Sequence, residues 1–274
     1  MTSSHSAKSK PDVGQRTIAD FGDQWTRYTD NSGYYGSLGL FADICEPLLS
    51  LDNVRGRTVA DIGSGTGRIV NMLLDAGAAH VTALEPSESF AVVAANTADR
   101  ASRVEVIRCD GTAIPQDRDF DLVVSIGVLH HVEDPAPIVK AARCALRPGG
   151  VIFIWLYGRE GNGIYLALFE PLRAVTKRMP HRLLAILCHV LDFIAMSYTA
   201  ASRILPLPMR QYMQAVYRRL PPDKRRLVIY DQLNPAYAKY YSEDEARSLL
   251  ENNGFTNVRT HHRHGYSWSV TGVR

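Results

Sequence analysis

Asp61, Gly63, Ser64, Gly65 and Gly67 form one tight group, an acid followed by three glycines on alternate positions. Glycines at that spacing let the backbone turn through positive φ and let a ligand reach the main chain with no Cβ in the way. Arg57 to Ile62 before them is strand-forming, and Ile69, Met72, Leu73 and Leu74 after them recur at helical spacing, so the loop joins a strand to a helix. The first turn of that helix offers unpaired N–H groups and partial positive charge, which favour an anionic or oxygen-rich ligand. The spacing reads G-x-G-x-G, with Arg68 where the third glycine of a dinucleotide fingerprint would stand, and this argues against NAD.

Two further acids fall where a parallel sheet would present them. Glu85 follows the strand candidate His80–Leu84, and Asp110, before Gly111 and Thr112, follows Val104–Cys109. In a doubly wound sheet the ligand lies across the carboxyl ends of the strands, at the switch point beside the first. An acid at Glu85 can accept ribose hydroxyls there, with Pro86 stiffening the turn that shapes the pocket.

The elements that must hold these residues alternate along the chain. Strand candidates are Thr58–Ile62, His80–Leu84, Val104–Cys109, Phe120–Ile126 and Val151–Tyr157, with helices at Arg68–Ala76, Glu88–Arg100 and Pro135–Leu146 between them. Ser242 to Glu245 is a capping box that opens a last helix, and strands near Thr256–His261 and Ser267–Val273 follow. The expected fold is therefore α/β: a Rossmann-like, doubly wound, mostly parallel seven-stranded sheet, with N-terminal helices as a lid and a helical cap inserted after strand five. The expected division is a disordered leader 1–16, a helical lid 17–56, a ligand-binding core 57–158, the cap 159–241, and the core's last helix and hairpin 242–274. In the lid, Thr17–Tyr28 and Phe41–Leu51 read as helices around an aromatic, glycine-rich segment; packing on the outer sheet face is the alternative role.

Asp61, the glycine loop, Glu85 and Asp110 are joined by Asp121 to Pro135, in which Gly127 and His130-His131 follow the fourth strand, and by Arg147-Pro148-Gly149-Gly150 before the fifth. In that order the set resembles the class I S-adenosylmethionine (SAM)-dependent methyltransferases, in particular their type 11 and 12 domains, over about Arg57 to Tyr157. The resemblance implies SAM as cofactor, held by Asp61, Gly63, Ser64, Gly65, Glu85, Pro86, Asp110, Gly111, Thr112, Ile126 and Gly127. It implies Glu85 on the ribose, Asp110 on the adenine amino group, and Gly127 where the loop approaches the sulfonium. Amino-group methyltransferases acting on DNA adenine carry Asn/Asp-Pro-Pro-aromatic where this chain has Ile126-Gly127-Val128-Leu129, and the nucleophilic Cys of the cytosine-C5 type is also missing. Quinone O-methyltransferases with a bound metal carry glutamates where Gly127 and His130 stand here. Only His131 of that ligand set is left, and no metal is expected.

Methyl transfer needs alignment of acceptor, methyl and sulfur, and for a hydroxyl acceptor a base. His131 and His130 are the candidates, since imidazole titrates near neutrality; packing of the loop is the alternative for either. His261, His262 and His264 lack a carboxylate or Cys partner in the sequence and are not read as a metal cluster.

Residues 159–231 hold 12 Lys/Arg against 5 Asp/Glu, in a chain whose net charge is only +3. A cap both apolar and basic suits a small-molecule acceptor with apolar and anionic parts, natural-product, lipid or quinone-like, with O-methylation favoured. Tyr28, Tyr34, Tyr237, Tyr241 and Arg210 are the candidate acceptor contacts, with packing as the alternative for the tyrosines. The mild charge argues against nucleic acid, yet an RNA or protein acceptor, or a non-catalytic partner subunit of this fold, stays open as the alternative. Peripheral membrane contact through the cap and a homodimer also stay open. The polar leader has no apolar core of a signal peptide, and Leu183 to Met196 is interrupted by His189 and Asp192, so a cytoplasmic protein is expected. Cys45, Cys109, Cys144 and Cys188 are far apart and read as reduced thiols of the interior.

Overall fold

The structure, a computed structural model, describes residues 13–274. Of the leader expected over residues 1–16, residues 1–12 lie outside the described residues, and residues 13–16 belong to helix α1 (Val13–Arg27). Helix α2 (Leu38–Cys45) starts where the Ser37 hydroxyl accepts the Leu40 N–H. It stops short of the expected Leu51 because Pro47 has no N–H to carry the helix on.

Seven strands form one sheet: β1 (Thr58–Ile62), β2 (His80–Leu84), β3 (Val104–Ile107), β4 (Phe120–Ile126), β5 (Leu146–Tyr157), β6 (Thr256–Arg263) and β7 (Ser267–Val273). Their order is β3-β2-β1-β4-β5-β7-β6. The first five run parallel, and β7 lies antiparallel to both of its neighbours. β1 sits at the switch point, and its side chains leave alternately for two cores, as the period of two requires. Val59 joins Phe41, Val70 and Leu73 on one face. Ala60 and Ile62 join Val139, Ala142 and Leu250 on the other. Helices α3 (Arg68–Asp75), α4 (Phe90–Asn96), α5 (Ala136–Ala145) and α10 (Glu243–Glu251) cover the faces. The expected helix Glu88–Arg100 is shorter, because Thr97 turns its hydroxyl back onto the Val93 carbonyl and Arg100 leaves helical geometry. The Ser242–Glu245 capping box forms in both directions at the start of α10.

The cap comprises α6 (Gly163–Thr176), α7 (His181–Ala201), α8 (Arg210–Ala215) and α9 (Pro222–Leu233), with its own core of Leu184, Cys188, Met213, Tyr217, Tyr230 and Leu233. Asp192, which breaks the apolar run of Leu183 to Met196, lies within α7. It turns inward, where Arg225 Nε donates to it at 2.7 Å and the Tyr217 hydroxyl at 2.8 Å. By length and composition, α7 is long and apolar enough to cross a membrane. Of the four cysteines only Cys45 and Cys188 are buried; Cys109 is half-buried and Cys144 is exposed on α5.

Candidate functional site

A cavity of about 450 Å³ opens at the carboxyl ends of β1, β2, β4 and β5. One end is built from the glycine loop, Glu85, Pro86, Asp110 to Thr112, Ile126 and Gly127; the other is aromatic, walled by Trp155, Tyr157, Tyr212 and Tyr266. The sequence thus turns sharply where β1 ends. Gly65 has φ +57, and a Cβ there would lie 3.3 Å from the indole nitrogen of Trp25 on α1, which leans over the loop. Gly127 has φ +84 with no atom within 4 Å of a Cβ position, so its missing side chain is room on the cavity wall.

Glu85 closes the loop from below. Its Oε2 accepts the Gly65 N–H at 2.8 Å, and its Oε1 accepts the Ser87 N–H at 3.0 Å and the Ser87 hydroxyl at 2.6 Å. Three of the carboxylate's roughly four acceptor positions are taken, leaving about one for a ligand hydroxyl. Asp110 spends Oδ1 on the Thr112 N–H at 2.8 Å and the Thr112 hydroxyl. Its Oδ2 has no hydrogen-bond partner among the described residues. Asp61 does not line the cavity. It lies buried behind the loop, burial pushes its carboxyl up to about 7, and its Oδ2 has no partner among the described residues.

The two histidines part company. His130 points into the core with no exposure, its ring stacked 3.7 Å from that of Tyr157, and burial holds it well below its ordinary value. His131 lines the cavity. Its Nδ1 is 2.8 Å from the Tyr237 carbonyl, which can only accept, so Nδ1 carries the proton and Nε2 keeps a lone pair. Burial lowers this imidazole to about 4, so it is neutral at physiological pH.

Across the cavity stands Asp231 of α9, pushed up to about 7 by burial while the Gln24 amide of α1 donates to its Oδ1. Its neighbour Gln232 donates to the Tyr157 hydroxyl at 2.7 Å and accepts from the hydroxyls of Tyr165 at 2.9 Å and Tyr240 at 3.0 Å. Arg68 lines the same space, its guanidinium 4.3 Å above the Tyr35 ring. Arg263 is engaged by Asp43 and Tyr266.

None of the five candidate acceptor contacts read from the sequence lines this cavity. Tyr28 packs on Tyr230, Tyr34 lies under the Arg219 guanidinium, and Tyr241 is buried in the sheet core. Arg210 is exposed and donates to the Arg203 carbonyl. Tyr237 contributes its carbonyl to His131. The residues on the wall instead are Trp155 and Tyr157, alternate positions at the carboxyl end of β5, and Asp231 and Gln232, near the carboxyl end of α9. The strand-end rule already applied to Glu85 and Asp110 would have picked out the first pair. Among the described residues no group of three His, Cys, Asp or Glu is placed to hold a metal.

A family described as "Methyltransferase domain" matches residues 60–154. The ubiquinone biosynthesis O-methyltransferase of Hydrogenovibrio crunogenus is 29% identical over 51% of this chain and 59% of its own length. That of Idiomarina loihiensis is 32% identical over 58% of this chain and 68% of its own. The chain thus spans under two thirds of the first relative and little more of the second. Human N-acetylserotonin methyltransferase, solved in complex with SAM, shares the fold with a TM-score of 0.51 at 12% identity, over 96% of this chain and 56% of that one.

Proposed function

The chain belongs to the class I SAM-dependent methyltransferases, and we propose that it methylates a hydroxyl of a small, largely apolar, quinol-like acceptor. The observation that carries this reading is a single cavity with glycine loop and acids at one end, aromatic rings at the other, and His131 on its wall. The names of the relatives support the quinol-like class and oxygen as the acceptor atom.

The residues present fit SAM. The room left by Gly127, the free Oδ2 of Asp110 and the remaining acceptor position of Glu85 are the features it requires. Gly63, Gly65, Glu85, Asp110 and Gly127 would hold it, with Asp61 supporting the loop from behind. Bound there, SAM supplies a methyl group on a cationic sulfur, so the protein has mainly to align the acceptor. Trp155, Tyr157, Tyr212 and Tyr266 form an apolar chamber for the acceptor ring. His131 receives the hydroxyl proton at Nε2, the nitrogen left free by Tyr237. A base held near 4 is weak, so it suits an already acidic phenol and not an alkanol. Asp231, raised to about 7, is the second group that could take this proton. A cytoplasmic enzyme acting on a lipophilic metabolite is the setting this implies.

The test is incubation of the full chain with methyl-labelled SAM and a series of catechols and hydroquinones with and without an isoprenoid tail. Label should move to a phenolic oxygen of a tailed acceptor. SAM binding without label transfer to any of them, or NADH binding in place of SAM, would overturn the reading.

A further inference from the structure

The cap shows solvent a surface that a folded chain ordinarily hides. On α7, Leu183, Ile186, Val190, Phe193 and Ile194 recur at spacings of three and four and all face outward, Phe193 being 76% exposed. Ile204 just beyond is 87% exposed, and α6 also exposes Ile164, Leu168 and Val175. At 1.5 Å per residue the α7 stripe from Leu183 to Ile194 is roughly 17 Å long, larger than the isolated apolar residues of an ordinary surface. Its ends are basic. Lys177, Arg178 and Arg182 are exposed before it and Arg203 after it, while Glu170 is the only exposed carboxylate from residue 163 to residue 205.

We propose that this face docks on an anionic lipid bilayer. The opposite face of α7 is already committed to the cap, through Leu184, Cys188 and the Asp192–Arg225 pair, so the helix lies on the membrane and does not cross it. An apolar stripe with cations at its rim matches acyl chains beneath a layer of phosphates. A second copy of the chain matches less well: two-fold, antiparallel pairing of α7 would set Arg182 of each copy beside Arg203 of the other, like charge against like. The helices beneath, α8 and α9, carry Tyr212, Val216, Val228 and Gln232 to the cavity wall. If the acceptor is the lipophilic quinol inferred above, docking brings its chamber to the phase that holds it. That consequence rests on the proposed function; the docking itself does not.

The full chain should co-sediment with vesicles of phosphatidylcholine plus phosphatidylglycerol, less with phosphatidylcholine alone, and less as salt is raised. Ile186→Glu with Phe193→Glu alters only exposed side chains, and it should weaken vesicle partitioning about tenfold or more. Thermal unfolding, measured on the same samples, reports that the cap is intact. No sedimentation with anionic vesicles, or sedimentation untouched by the two substitutions, would overturn the proposal. So would a wild-type dimer in analytical ultracentrifugation that the double variant converts to monomer, since the face would then belong to a second copy. Vesicle binding is read without turnover, so an enzyme that docks but methylates no quinol would refute the acceptor reading and leave the docking standing.

Discussion

His131 and Asp231 can each take a proton on the cavity wall, and they differ in the pH at which they are able to. A carboxyl raised to about 7 is a base only above that value, so if Asp231 were the base, kcat/KM would fall about tenfold per unit as pH drops below 7. An imidazole lowered to about 4 stays deprotonated throughout that range, so with His131 as base the profile should be flat from pH 8 down to about 5. We expect the flat profile, measured with a phenolic acceptor, and a loss of about 10²–10⁴ in kcat for His131→Ala with SAM affinity unchanged. A break near 7 that Asp231→Asn abolishes would hand the role to Asp231. On the cofactor side, Glu85→Ala removes charge-assisted hydrogen bonds and frees the Gly65 N–H, and calorimetry should show SAM affinity falling about tenfold to a hundredfold. Gly127→Val places a branched side chain in the open wall at φ +84 and should have an effect at least as large.

Among the elements, α1 and the cap are held by few, identifiable contacts. Trp25 leans over Gly65, the Gln24 amide meets Asp231, and Asn31 exchanges hydrogen bonds with Thr66, at 3.1 Å through its amide and 2.7 Å through its carbonyl oxygen. Trp25→Ala should therefore weaken SAM binding while leaving the melting temperature close to wild type, because the ring covers the loop and is not in the sheet cores. Asp192→Ala acts in the opposite sense. It strands Arg225 and the Tyr217 hydroxyl inside the cap, at a cost of about 3 kcal/mol or more. Thermal unfolding should show the cap destabilised, with SAM binding by the sheet retained. Equal loss of SAM affinity in Asp192→Ala would mean that cap and sheet fold as one cooperative unit.

At the scale of the whole molecule, the cavity is shared by parts far apart in sequence: α1, the sheet's carboxyl edge, the cap and the β6–β7 hairpin all reach it. The lining nonetheless divides along the chain: the glycine loop, Glu85, Asp110 to Thr112 and Gly127 all come from residues 63–127, and the aromatic wall comes from β5, α8 and the β6–β7 hairpin. Tyr212→Ala, in the aromatic wall contributed by α8, should raise the acceptor KM and leave the SAM dissociation constant within about twofold. A parallel loss of SAM affinity would make the cap a cover for the cofactor and move the acceptor chamber elsewhere.

By itself the sequence determined the sheet and its cofactor edge, because those depend on local signals: β-forming runs ending in glycines, acids at strand ends, a capping box at Ser242. Gly63, Gly65, Glu85, Asp110 and Gly127, read from the sequence as strand-end residues, line one cavity, since strand-end position is set by strand order alone. The sequence could not choose between His130 and His131, adjacent along the chain, because which one turns inward depends on Tyr157 stacking on one and the Tyr237 carbonyl meeting the other. Nor could it pick the cavity's aromatic wall from among the tyrosines. Tyr28, Tyr34 and Tyr241 have the same chemistry as Tyr157, Tyr212 and Tyr266, and only the packing of α8 and α9 across β5 and β7 decides which rings face the cavity. Asp231 was hidden for the same reason: its carboxyl becomes a group of consequence only once α1 and α9 close over it and exclude water.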